Sequence, residues 1–153
     1  MSNIGNGVQE RRQQSHRKIQ ELVGVRDQML SLYSELAAQH PFRNEDSVGE
    51  LLEQFCQMLI DYTADTHFGL YRYVDEKRER RRAVLEVADR IYPTILATTD
   101  SILDFNDKYD FESKREDISL ETLEQDLSQL GESLADRIEL EDQLIQVLSK
   151  GRA

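Results

Sequence analysis

Four stretches of the chain place apolar side chains at steps of three and four residues, the spacing that lines one face of an α-helix. The first runs from about Val8 to Ala38, with Ile19, Leu22, Val23, Met29, Leu30, Tyr33, Leu36 and Ala37 on its stripe. His40-Pro41 stops it, because a residue before proline is pushed out of the helical region. Arg43 to Asp46 reads as a polar loop, and Asp46 or Ser47 can cap the next helix. That second stretch carries Leu52, Phe55, Cys56, Leu59, Thr63, Leu70 and Val74 on its core side. Ala83, Val84, Val87, Ala88 and Ile91 begin the third. Pro93, which has no N–H, is expected to kink or restart it. Ile95, Leu96, Ile102, Leu103 and Phe105 carry it on to about Asp107. Residues 106–118 lack a clean period and read as a loop. Ser119 has the chemistry of an N-cap. Leu120, Leu123, Leu127, Leu130, Leu134, Ile138, Leu144 and Leu148 then form the strongest stripe of the chain, ended by Gly151. The pattern predicts an all-α fold: one domain over residues 1–153, an antiparallel bundle of four main helical stretches, some kinked or split. Residues 1–8 are expected to be a flexible N-terminus and 151–153 a short tail.

The polar side of the second stretch changes the picture. On a helical wheel Asp61, Asp65, Phe68 and Arg72 share the face opposite the core, so a phenylalanine sits among charges where water is expected. A single exposed aromatic is common, but one flanked by charges at helical spacing also has the form of a protein-binding anchor. His67 lies about 60° from the stripe centre, a boundary position. Asp65 and Thr66 are cap-forming residue types, so the helix is expected either to pass through this point or to break and restart at His67.

Composition narrows the class. Hydrophobic residues are 39% and charged residues 32% of the 153, with only 2 prolines and 7 glycines, which argues against an all-β sandwich. Apolar runs fall short of the ~20 residues needed to span a bilayer. The polar Met1–Val8 segment lacks a signal-peptide pattern, so a cytoplasmic location is expected. Cys56, the one cysteine, lies on an apolar stripe and reads as a small buried hydrophobe. The net charge of -11 is uneven: residues 1–39 hold 5 basic and 4 acidic side chains, residues 100–153 hold 6 and 15. So acidic a C-terminal third repels nucleic acid and favours a basic partner; a merely well-hydrated surface is the plainer reading of the same charge. The basic run Lys77 to Arg82, interleaved with glutamates, reads as a solvated helix junction rather than a phosphate patch.

Catalytic chemistry is sparse. His16, His40 and His67 form no Glu-x-x-His arrangement of the kind that carboxylate-bridged metal bundles use. The chain has neither a Cys-x-x-Cys pair nor a glycine-rich phosphate loop. Asp61, Asp65 and His67 are close in sequence, but an exposed helix face does not drive carboxylate pKa values apart as acid–base work requires. The residues point to a non-enzyme, with no cofactor and no metal, and direct attention to partners.

Phe55-Cys56-Gln57, Asp61-Tyr62 and His67-Phe68-x-x-Tyr71 together resemble the signature of the Rsd/AlgQ family, bacterial regulators that bind the housekeeping sigma factor of RNA polymerase. The resemblance continues through Arg90-Ile91-Tyr92-Pro93 with Thr99, Ile102, Leu103 and Asp104. It resumes at Leu127-Ser128-x-Leu130-Gly131-Glu132-x-Leu134 and at Leu140-Glu141-Asp142-x-Leu144-Ile145. It spans roughly Leu22 to Leu148 and is weakest over Arg43–Gly49 and Asp75–Arg82. It implies an anti-sigma transcription regulator that binds the sigma factor's C-terminal helix-turn-helix region and blocks its contacts with core polymerase and promoter DNA. On this resemblance Asp61 pairs with an arginine of the partner, Phe68 is the anchor, and His67 and Tyr71 support it, with Asp65 and Arg72 on the same face. A second regulatory protein and a homodimer stay open, and a self-associating helical scaffold without sigma binding is the alternative. Departures stand at Thr66, where the pattern has glycine, and at Arg72, where it has an acidic residue. Leu22 and Tyr92 stand at or near places where it has tryptophan.

Overall fold

The computed structural model describes residues 2–39, 45–71, 81–109 and 120–150, and the side chains of 17–39, 48–70, 81–109 and 122–149. Four long helices account for nearly all of these: α1 (Ser2–Ala37), α2 (Glu45–Thr66), α3 (Arg82–Lys108) and α4 (Leu120–Lys150). A five-residue π-helix, His67–Tyr71, continues α2 without a break. The fold class is the all-α bundle that the four stripes predict, and no strand occurs among the described residues.

Buried positions explain why these helices pack as a bundle. On α4 the buried residues are 123, 127, 130, 134, 137, 141, 144 and 148, alternating steps of four and three; α1 shows steps of four and three at Leu22, Arg26 and Met29, with Leu36 seven residues on and Tyr33 half-buried between them. This is the spacing of helices packed side by side at small crossing angles. Contacts along the chain set the directions. Arg81 Nη1 donates to the Leu148 carbonyl (3.1 Å), Arg90 to Gln143 (2.8 Å), and Tyr109 to Asp126 (2.5 Å). The pairs run oppositely in number, so α3 and α4 are antiparallel. Tyr33 meets Phe55 edge-on at 5.8 Å while Lys18 lies against Gly69, so α1 and α2 are antiparallel too. α1 packs chiefly on α2, and α3 chiefly on α4.

Two apolar clusters fill the interior. One joins Met29, Leu36, Leu52, Phe55, Leu59, Ile102, Phe105, Leu123, Leu127, Leu130 and Leu134 with neighbours. The other, toward the opposite end, joins Leu22, Leu70, Val84, Ile91, Ile95, Leu144 and Leu148. Each such side chain taken from water contributes about 1.5–3 kcal/mol. The leucines of α4 described here are thus used within the chain's own core.

Several boundaries differ from expectation. α1 begins at Ser2, six residues before Val8. α2 begins at Glu45, so Asp46 lies inside the first turn rather than in a loop. α3 runs through Pro93. Pro93 and Asp89, whose carbonyl loses its usual i+4 donor, are both exposed, while Ile91 and Ile95 are buried and hold the helix on either side. Residues 106–108 are helical because Phe105 and Tyr109 prolong the buried stripe and Lys108 bridges Asp126 at 2.7 Å. The expected cap at Ser119, the run from Lys77 to Arg80, and Gly151 lie outside the described residues.

Candidate functional site

At its C-terminal end α2 separates a buried face from a charged one. Phe55, Cys56, Leu59, Tyr62, Thr63, Thr66 and Leu70 are buried. Asp61, Asp65, His67 and Phe68 are exposed, and Phe68 keeps 56% of its surface open to solvent. The wheel therefore places Asp61, Asp65 and Phe68 correctly. Tyr71 closes the π-helix, and its side chain lies outside the described residues, as does Arg72. The helix neither continues as α nor breaks at Thr66. It widens by one residue per turn, and π-turns of this kind are frequent at functional sites. Thr66 Oγ1 donates to the Thr63 carbonyl (3.0 Å), occupying a backbone acceptor at the point of widening.

His67 and Phe68 meet edge to face, with ring centroids 4.9 Å apart and planes at 81°. The imidazole thus props one side of the exposed ring. Gln57 Nε2 donates to Asp61 Oδ1 across one turn at 3.5 Å, a long contact on an exposed surface that leaves the carboxylate open to a better donor. Beside Phe68 runs a shallow groove of about 210 Å³ between α1 and α2, walled by Lys18, Glu21, Leu22, Ala64, Asp65 and Gly69. Gly69 leaves room for the Lys18 side chain of α1: a Cβ there would lie 3.2 Å from Lys18 Cε. Chemically this is a projecting apolar ring, an acidic border and an adjoining cleft, an arrangement suited to a protein surface with a pocket and a basic group. Among the described residues no three histidine, cysteine, aspartate or glutamate side chains converge as a metal site would require.

Behind this face lies a feature absent from the sequence reading. Arg137 and Glu141, exposed by only 1% and 0%, occupy core positions of α4 between the two apolar clusters. Tyr62 Oη donates to the Glu141 carboxylate at 2.7 Å, and Arg137 Nε donates to both Tyr62 Oη and Glu141 Oε2 at 3.1 Å. Arg137 Nη1 reaches Thr98 (3.1 Å) and Thr99 (2.7 Å) on α3, and Nη2 donates to Thr66 Oγ1 on α2 (2.9 Å). Arg26 of α1 stands 3.6 Å from Glu141 and bonds Asp142 at 2.9 Å. All four helices thus contribute to one polar layer, in which two guanidinium charges face Glu141 and the half-exposed Asp142. Burial pushes the Glu141 carboxyl up, against the pull of Arg137, the Tyr62 hydroxyl and Arg26. Burial and the Glu141 charge raise the Tyr62 phenol as well. A signal for the layer was present: the alternation of four and three along α4 passes through 137 and 141, not through Ile138, which is half-buried.

A larger groove of about 520 Å³ between α1 and α4 includes Leu30, Tyr33, Leu134 and Ile138, and none of the candidate residues borders it.

Compared with known proteins, residues 1–149 match the family model described as Regulator of RNA polymerase sigma(70) subunit, Rsd/AlgQ. A protein named Regulator of sigma D from Enterobacter sp. (strain 638) is 35% identical over 135 residues, covering 86% of this chain and 79% of that protein. Another of that name, from Yersinia pseudotuberculosis serotype O:1b (strain IP 31758), is 30% identical over 135 residues with the same coverage, 86% and 79%.

Proposed function

The chain belongs to the Rsd/AlgQ family of regulators of the RNA polymerase sigma(70) subunit, and from that premise we propose that it is an anti-sigma regulator binding the C-terminal helix-turn-helix region of the housekeeping sigma factor. Occupying that region blocks its contacts with core polymerase and with promoter DNA. The observation that carries the reading is Phe68, projecting from a π-turn at 56% exposure among exposed Asp61, Asp65 and His67. Phe68 enters an apolar pocket of the partner, and Asp61 pairs with an arginine. Asp65 adds negative potential, and His67 holds the ring's orientation. The family resemblance adds Tyr71 and Arg72 to the residues that meet the partner. The net charge of -11 supports the encounter with a basic, DNA-reading domain. The protein acts by binding, without a cofactor, in the cytoplasm where transcription takes place. Among the described residues no helix is long and apolar enough to cross a membrane.

Titration calorimetry against the isolated C-terminal domain of the organism's housekeeping sigma factor tests this directly. Micromolar or tighter binding is expected, weakened by added salt. Phe68→Ala should cost about 2 kcal/mol or more, as for a central aromatic anchor. Asp61→Ala should cost about 2–5 kcal/mol if its charge pair is desolvated in the complex. Wild-type affinity retained by both variants would place the interface elsewhere, and no binding by the folded wild type would remove the partner.

A further inference from the structure

The polar layer reaches the segment that carries the candidate face through Thr66. Thr66 Oγ1, fully buried, is the last α-helical residue before His67 and Phe68, and it accepts a hydrogen bond from Arg137 Nη2. The same guanidinium is fixed on its other sides by Thr98 and Thr99 of α3 and by Tyr62 and Glu141. A planar, multiply bonded arginine is a rigid reference point, since its donors leave in set directions. We propose that Arg137 is a positioning residue for the partner-binding face: by holding Thr66 it fixes where α2 widens into π-helix, and so sets the direction in which His67 and Phe68 project. The inference rests on the proposed function for its binding consequence, though not for its structural one.

The physical reasoning is local. A π-turn inserts one extra residue into the helical ladder, which costs energy unless something favours it at that place. Thr66 is held from two sides, giving its proton to the Thr63 carbonyl and receiving one from Arg137. Together these bonds pin its side chain and occupy a backbone acceptor where the ladder shifts. Leu70, four residues on, is buried at 2% in the second cluster, so the segment is pinned at both ends and Phe68 is displayed between them. A glycine at position 66 has no hydroxyl with which to meet Arg137, so this link belongs to chains with a hydroxyl residue there.

Arg137→Ala would leave Glu141 buried without its main partner and is a poor test, because it threatens the fold itself. Thr66→Val removes only the hydroxyl while keeping shape and charge balance, and Thr66→Ser restores it. In the free protein, Thr66→Val is expected to shift the amide signals of His67 to Leu70 and the Phe68 ring signals in NMR spectra, and Thr66→Ser to return them. Affinity for the sigma C-terminal domain should fall about fivefold in Thr66→Val, which loses both the bond from Arg137 and the bond to the Thr63 carbonyl, and recover in Thr66→Ser. Leu123→Val, in the far apolar cluster, serves as a control that lowers the melting temperature without moving either readout. Unshifted His67–Leu70 and Phe68 signals in Thr66→Val would overturn the proposal whatever the affinity. Shifted signals with wild-type affinity would overturn its binding consequence. Phe68→Ala run alongside separates the two readings: if that variant also binds normally, the face is wrong, while Arg137 guanidinium signals that shift in Thr66→Val together with those of His67–Leu70, or stay in place, still decide whether Arg137 positions it.

Discussion

Single residues in the polar layer are costly to remove one at a time and cheap to remove together. Glu141 sits at 0% exposure between Arg137 and Arg26. Glu141→Ala strands a buried guanidinium and should lower the unfolding free energy by about 3–5 kcal/mol in urea titration. Arg137→Met combined with Glu141→Leu should lie within about 1–2 kcal/mol of wild type, because the desolvation cost disappears with the charges. The pH dependence has a definite sign. The Glu141 carboxyl is raised above its ordinary 4.5 by burial, so the fold holds its proton more tightly than the unfolded chain does. Its contribution is full below 4.5 and is lost as pH rises through the folded value. Wild type should therefore gain stability relative to Glu141→Gln as pH falls from neutral toward 4.5. The phenols of Tyr33, Tyr62 and Tyr109 are raised above 10.0, chiefly by burial, with the Asp126 hydrogen bond adding to Tyr109 and the Glu141 charge to Tyr62. Stability carried by these neutral phenols is present below 10.0 and lost above it. Phenolate absorbance should show these three of the six tyrosines ionising late, together with alkaline unfolding.

At the scale of elements, two glycines test how closely helices approach. Gly131 of α4 faces Tyr33 of α1, whose hydroxyl donates to the Leu127 carbonyl at 2.9 Å; a Cβ on Gly131 would overlap that hydroxyl. Gly131→Ala should therefore destabilise by about 1–3 kcal/mol, as overpacking does, despite its better helix propensity. Gly69→Ala meets only the flexible end of Lys18, which can swing aside, and should change stability by less than about 1 kcal/mol. Melting temperatures of the two variants provide the comparison, and equal losses would contradict it. The element boundaries show what local pattern can and cannot reveal. Apolar periodicity located all four helices, and the stop at His40-Pro41 is consistent with α1 ending at Ala37. The helix does not restart at Pro93, because tertiary contacts on both sides of it outweigh one lost hydrogen bond, and Asp65-Thr66 misled because cap chemistry does not distinguish a helix end from a π-turn.

For the whole molecule, charge and topology work together. Four antiparallel helices bury two apolar clusters on either side of a polar layer, and the acidic face of α2 stands at the end filled by the second cluster. On the proposed function, attraction through opposite charge makes the association rate fall steeply with salt, whereas a dissociation rate set by Phe68 as anchor changes little; stopped-flow kinetics at two ionic strengths would show this. By itself the sequence determined the helical class, most of the core, the buried Cys56, and the exposed face of Asp61, Asp65 and Phe68. Each of these follows from a periodicity that one helix carries alone. Its motifs also led to the family. Tertiary structure alone decided the polar layer, the π-turn and the link from Arg137 to Thr66. An arginine on a helix reads as solvated until three other helices converge on it. Only their convergence supplies the tyrosine, threonines and glutamate that make its burial tolerable.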